Sequence, residues 1–141
     1  MTTPGPVRIG CDLVALSEID ESLAAFGDRF LRRVFTPREI EYSNGPHLRP
    51  RLAARFAAKE AVVKALAITD AATPPRDIEV INIPGGPPRI ELHGSIAALA
   101  GSQGWRDIQV SLSHTDCHAM AMVAIVPGPE SADSAFPAFR C

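Results

Sequence analysis

Arg55-Phe56-Ala57-Ala58-Lys59-Glu60-Ala61-Val62-Val63-Lys64-Ala65-Leu66 is the stretch on which the fold turns. At about 100° per residue, Leu52, Phe56, Val63 and Leu66 form one apolar stripe, with Lys59 in its middle. Glu60 and Lys64 share the edge of that stripe one turn apart, and alanines fill most of the remaining circumference. A soluble helix ordinarily confines its charges to one solvated face. This pattern instead predicts a central helix packed on several sides that carries charge inward, where an ion costs several kcal/mol unless a partner or metal compensates. Taken alone, Glu60 with Lys64 is an ordinary helical ion pair worth a few tenths of a kcal/mol.

Outward from this helix, which is expected over about 49–68, the chain alternates between strand and helix signals. Val7 to Leu13 reads as a short strand containing Asp12, and Ser17 offers an N-cap for a helix to Phe26. Thr36-Pro37-Arg38-Glu39 places Thr at the N-cap, Pro at the first helical position and Glu at the third, and that helix stops near Ser43. Asp77 to Ile83 and Arg89 to Leu92 read as a hairpin around Pro84-Gly85-Gly86-Pro87-Pro88. Ser95 to Gln103 is a short helix, and Ile108 to His114 and Ala119 to Val126 are two further strands. The order β-α-α-α-β-β-α-β-β predicts a single α+β domain over 1–126, a mainly antiparallel sheet packed with a long central helix. Residues 127–141 are rich in Pro, Gly, Ser and Ala without a period and are expected to form a disordered tail.

At 141 residues the chain is long enough for one real core. A formal net charge of −2 gives no reason to expect nucleic acid, although basic residues crowd between Arg29 and Lys64. The longest apolar run, Ala119 to Val126, is far too short to span a bilayer. Cys11, Cys117 and Cys141 match neither a disulfide framework nor a zinc site. They suit a reducing compartment, so a cytoplasmic protein is expected. Cys11 and Cys117 are read as small core residues.

Two carboxylates on separate elements, Asp12 and Glu60, are the minimum protein contribution to a Mg²⁺ site. That ion prefers hard oxygen ligands and takes the remainder from water and substrate phosphates. Lys59 and Lys64 nearby would balance phosphate charge. Ser111 and Ser113 share one face of their strand, opposite Leu112 and His114, and a cationic His114 could hold phosphate through both ring nitrogens. Nothing marks either serine as an activated nucleophile. The Gly86-Pro87-Pro88 turn lacks the spacing of a Walker or Rossmann phosphate loop.

Taken together, these segments resemble the holo-[acyl-carrier-protein] synthase family of 4′-phosphopantetheinyl transferases. The resemblance is carried by Ile9-Gly10-Cys11-Asp12-Leu13-Val14, by Phe35-Thr36-Pro37-Arg38-Glu39 and above all by Leu52 to Leu66. Asp77-Ile78-Glu79-Val80, the Gly86-Pro87-Pro88 turn and Val110-Ser111-Leu112-Ser113-His114 follow in the family's order. It implies transfer of 4′-phosphopantetheine from coenzyme A to a serine of an apo carrier protein, with Mg²⁺ required and adenosine 3′,5′-bisphosphate released. Asp12 and Glu60 then become the metal ligands, and Lys64 lies near the phosphate under attack. Arg55, Lys59 and His114 would hold the nucleotide's phosphates, Ser113 joins the residues that bind coenzyme A, and Gly86 and Pro88 border the adenine. The serine proton could pass to a water on the metal, to Glu60, or to Lys64. A homotrimer with sites at subunit boundaries is implied as well. Two departures stand out. Glu18, Asp20 and Glu21 occupy the first helix where family members commonly carry a basic residue for the carrier, which shifts expected docking toward Arg29, Arg32 and Arg33. The usual glycine-containing loop after the long helix is replaced by Ala67-Ile68-Thr69-Asp70-Ala71-Ala72. The same chemistry dedicated to a polyketide or peptide-synthase carrier is one alternative, and a non-catalytic module that binds coenzyme A or a carrier is another.

Overall fold

In the computed structural model, which describes residues 6–128, the chain begins with strand β1 (Arg8–Ala15) running directly into helix α1 (Leu16–Phe26). Helices α2 (Asp28–Val34), α3 (Pro37–Ser43) and α4 (Leu48–Ala65) follow. After a 3₁₀ turn at Pro75–Asp77 come β2 (Ile78–Ile81), β3 (Arg89–Leu92), α5 (Gly94–Ser102), β4 (Trp105–His114) and β5 (His118–Pro127). The expected α+β class holds: β1, β5 and β4 form one antiparallel sheet in that order, and β2 and β3 form a separate hairpin. Strand β5 runs to Pro127, the first residue of the expected tail, and residues 129–141, with Cys141, lie outside the described residues.

Helix α4 lies against the three-stranded sheet, and small residues set the spacing. Ala53, Ala57, Ala58, Ala61 and Ala65 are all buried, as are Ala119, Ala121, Val123 and Ile125 of β5. Closest approach is at Gly10, where a Cβ would stand 1.9 Å from the Ala61 carbonyl oxygen, so no larger residue fits. The long helix is therefore buried on most sides, as its alanines predict.

Period-2 alternation sends Gly10, Asp12 and Val14 toward α4, and Ile9, Cys11 and Leu13 the other way. That outer face is open: Ile9 is 72% exposed, Leu13 62%, and their neighbours Met120 and Met122 on β5 are exposed too. The expectation that Cys11 and Cys117 are core residues fails here. Both are exposed, Cys11 because it shares the outer face with its register partner Met122, Cys117 because it sits in the β4–β5 turn.

Helix ends follow their chemistry. Thr36 and Glu39 form the expected reciprocal cap: Glu39 Oε1 accepts from the Thr36 N–H at 2.9 Å, and Thr36 Oγ1 from the Glu39 N–H at 3.3 Å. Ser17 is not the cap of α1. Ala15 is the cap and the helix starts at Leu16, two residues earlier than a Ser17 cap would place it, and Glu18 reaches back to the Ala15 N–H at 2.9 Å. Helix α2 is an element the sequence pattern did not announce: Gly27 at φ 54° ends α1, and the chain resumes as a helix at Asp28. Helix α4 ends in a Schellman turn, with Ala67 N–H on the Lys64 carbonyl at 3.1 Å and Ile68 N–H on the Val63 carbonyl at 3.0 Å. Ala67 takes φ 55° there, a position usually given to glycine.

Candidate active site

The close crossing at Gly10 and Ala61 puts the next inward residue of β1, Asp12, beside the last turns of α4. Lys64 Nζ donates to Asp12 Oδ1 at 3.0 Å and to the Cys11 carbonyl at 3.0 Å. This bond holds the Lys64 ammonium above its ordinary pKa. Glu60, one turn upstream, is half-buried, and no hydrogen bond or ion pair within the described residues holds its carboxylate. Burial pushes its pKa up, the Asp12 charge adds to that rise, and Lys64 only partly offsets it. Three residues singled out in the sequence thus converge: Asp12, Glu60 and Lys64. Lys64 pairs with Asp12 rather than with Glu60, so the ordinary i, i+4 ion pair does not form. A cavity of about 290 Å³ opens beside Glu60, lined by Val63, Ile68, Thr69, Asp70 and Pro75 among others.

Asp12 and Glu60 fit a hard divalent cation. They present oxygen donors from two separate elements, and the raised Glu60 pKa marks a second carboxylate whose charge is not matched by Lys64. Among the described residues the one group of three closely placed ligating side chains is elsewhere, at Glu79, Glu91 and His93 on and after the β2–β3 hairpin. Glu79 there already accepts hydrogen bonds from Thr36 Oγ1 and from His93 Nε2.

Arg55 and Lys59 belong to a different face of α4. They lie about 40° apart around the helix, and Glu60 is about 100° further on. The expectation that Lys59 reaches a phosphate is corrected. Its side chain is 2% exposed, and its three protons are taken by Glu39 Oε1 at 2.7 Å, by the Pro75 carbonyl at 3.1 Å and by the Ile78 carbonyl. Desolvation lowers its pKa, against the pull of Glu39. Glu39 also accepts from the Val80 N–H at 3.1 Å, so it ties α3, α4 and β2 together. Sequence reasoning gave Glu39 only a capping role. The signal that could have found it was the buried ammonium, which demands an acidic partner.

Arg55 is likewise turned inward and buried. It donates to the Arg51 carbonyl at 3.0 Å and to Asn82 Oδ1 at 2.8 Å, and it stacks on the Tyr42 ring. Its Nε alone has no partner among the described residues. Gly86 and Pro88 sit at the hairpin turn, with Gly86 exposed. Ser113 and His114 fall on opposite faces of β4: His114 lies across from Ala119 on the α4 side, whereas Ser113 lies across from Met120 on the outer face. Within one copy of the chain Ser113 therefore cannot join Asp12 and Glu60.

Residues 8–116 match the family model described as the 4′-phosphopantetheinyl transferase superfamily. The holo-[acyl-carrier-protein] synthase of Moorella thermoacetica is 47% identical over 123 residues, covering 85% of this chain and 93% of that protein. That of Dehalococcoides mccartyi is 43% identical over 114 residues, 81% of this chain and 93% of its own length. Among solved structures, the complex of the Chronobacterium ammoniagenes synthase with coenzyme A superposes with a TM-score of 0.76 at 28% identity, covering 89% of this chain and all of that one. The Helicobacter pylori holo-[acyl-carrier-protein] synthase with coenzyme A gives 0.73 at 28% identity, covering 83% and 98%.

Proposed function

This chain belongs to the 4′-phosphopantetheinyl transferase superfamily, and from that membership we infer that it transfers 4′-phosphopantetheine from coenzyme A to a serine of an apo acyl carrier protein. The observation that carries the reading is the convergence of Asp12, Glu60 and Lys64 at the crossing of β1 and α4. In the reaction the serine hydroxyl oxygen forms a bond to the β-phosphorus of coenzyme A. The bond from that phosphorus to the bridging oxygen breaks, the hydroxyl proton passes to the Glu60 carboxylate or to solvent, and adenosine 3′,5′-bisphosphate leaves with the electron pair.

Each residue has a task set by its surroundings. Asp12 and Glu60 would hold Mg²⁺, which when bound supplies neutralising charge on the diphosphate oxygens. Lys64, kept protonated by Asp12, places a fixed positive charge at the phosphate under attack. The loop at Ile68–Asp70 walls the cavity next to these groups and positions what enters it. Gly10 contributes by being small: it lets β1 bring Asp12 within reach of α4.

Copies of the chain are proposed to assemble as a homotrimer. The outer sheet face, with Ile9, Leu13, Met120 and Met122 exposed, supports that assembly. A site shared between copies also gives Ser113, on that outer face, and the Gly86–Pro88 turn a route to the nucleotide that a single copy lacks. No helix among the described residues is long and apolar enough to cross a membrane, in keeping with cytoplasmic work on soluble substrates.

Incubation with coenzyme A, Mg²⁺ and a panel of apo carrier proteins tests the reading. The carrier should gain the mass of one phosphopantetheine group, and a chelator should stop the gain. No gain on any carrier overturns the proposal. A gain confined to polyketide or peptide-synthase carriers redirects it to those partners.

A further inference from the structure

The cavity beside Glu60 has two walls, built in different ways. One is helix α4 itself, and the other is the stretch of chain from Ile68 to Ile78. That second wall is tied largely to itself and to α5. Asp70 accepts from the Ala72 N–H at 2.9 Å through its side chain and from Thr73 Oγ1 at 2.8 Å through its carbonyl. At the far end the Asp77 carbonyl accepts from the His93 N–H at 2.7 Å, and the Asp77 side chain from Ser95 Oγ at 3.2 Å. Among the described residues, the side-chain hydrogen bonds that cross from α4 to residues 69–78 both start at one atom. Lys59 Nζ donates to the Pro75 carbonyl at 3.1 Å and to the Ile78 carbonyl.

Stability alone does not account for an ammonium at this point. Lys59 is enclosed by Glu39 Oε1, by the two carbonyls and by the Phe35 ring, whose centroid is 5.6 Å from Nζ. A methionine of similar length would fill the same apolar stripe without desolvating a charge, and exchanging a buried ion pair for apolar residues is often neutral or stabilising. What the ammonium adds is direction: it binds two loop carbonyls in one arrangement. Glu39 is itself fixed, accepting from the Thr36 N–H at 2.9 Å and the Val80 N–H at 3.1 Å, so the pair cannot swing. Glu60 is the next residue along α4. The side chain that holds the far wall therefore stands one peptide unit from the carboxylate that faces the cavity.

We infer that Lys59 is a positioning residue for the transfer: held by Glu39, it pins the Pro75–Ile78 wall to α4 and so fixes the gap between Glu60 and that wall in which coenzyme A is seated. The inference rests on the transfer reaction proposed above. Where catalysis comes from holding reactants against fixed charges, a misplacement of about 1 Å costs up to about a hundredfold in rate. Lys59 acts on that placement through the wall, since its own donors are all taken within the fold.

Hydrogen exchange and steady-state kinetics on the full chain test this together. Lys59→Met alone leaves the Glu39 charge buried without its partner and should lower the melting temperature sharply. The deciding variant is Glu39→Gln/Lys59→Met, which removes both charges and should fold and melt cooperatively. In it the amides of residues 69–78 should exchange about tenfold faster or more, while those of β1 and β5 keep the parent rates. For coenzyme A, kcat/KM should fall about tenfold or more, and the carrier KM should stay as it is. Unchanged exchange over 69–78, or unchanged coenzyme A kinetics, overturns the positioning role alone. A double variant that does not fold, or whose two KM values rise together, also overturns it, because the pair is then a general support of the fold. A parent chain that modifies no carrier overturns the proposed function and the positioning role with it, whatever the exchange rates.

Discussion

Glu60 is a residue whose placement costs the fold something and serves the site. Burial first, and then the neighbouring Asp12 charge, push its pKa above the ordinary value of 4.5. The folded chain therefore holds that proton at pH values where the unfolded chain has released it. Stability falls as pH rises from the ordinary value through the raised one, and above the raised value the whole penalty is present. Glu60→Gln removes the charge while keeping the shape. In chelator at about neutral pH it should melt at a higher temperature than the parent, and the advantage should shrink and vanish as pH falls below the ordinary carboxylate range. Transfer should drop by about a hundredfold or more, the scale seen when a charge-stabilising group is removed from a site. A variant that melts lower than the parent at neutral pH would show that Glu60 has a favourable partner after all. Lys64 behaves in the opposite sense: its bond to Asp12 favours the charged form, so it keeps its positive charge to higher pH than a free lysine.

At the scale of the element, α4 is one helix with two charged faces, and only one of them was legible in the chain. Spacing placed Glu60 and Lys64 together, and the Gly10-Cys11-Asp12 strand gave the third member. What Lys59 does depended on Glu39, twenty residues earlier and on another helix, and such a pairing leaves no local pattern to read. The strands and the hairpin were legible because alternation and turn residues are local signals. The missed helix α2 is short, and its entry glycine reads as a stop. The cap of α1 was misplaced by two residues because Ser17 is a better capping residue than Ala15, while the bond from Glu18 does the work. The end of α4 carries a prediction of its own. Ala67 at φ 55° is held in a conformation that costs an L-residue about 1–2 kcal/mol, part of which glycine returns as unfolded-state entropy. Ala67→Gly should stabilise the chain by about 0.5–1 kcal/mol, read as a higher urea midpoint at unchanged slope. A lower midpoint would mean that the alanine methyl makes contacts worth more than the strain.

At the scale of the whole molecule, strand parity in the sheet carries the last step. Inward positions of β1 are Gly10, Asp12 and Val14, and outward ones Ile9, Cys11 and Leu13, so the more apolar set faces away from α4. Reading apolar as inside put Cys11 in the core, which is wrong for one copy and right if another copy covers that face. β1 and β4 are both edge strands, and exposed apolar faces beside open edges invite association. Met122 lies on the central strand of this face, between Cys11 and Ser111 in register, and is 50% exposed. A charge there would have to be buried without a partner in any assembly that uses the face. If copies assemble through this face as the proposed homotrimer, Met122→Glu should convert the sedimenting species from three times the chain mass to one, with little change in helix content. If the site is completed across the boundary, transfer should fall with the trimer, and the parent enzyme should lose specific activity on dilution in step with its dissociation. A parent chain that sediments as a monomer at full activity would separate the site from the assembly and leave Asp12, Glu60 and Lys64 working within a single copy.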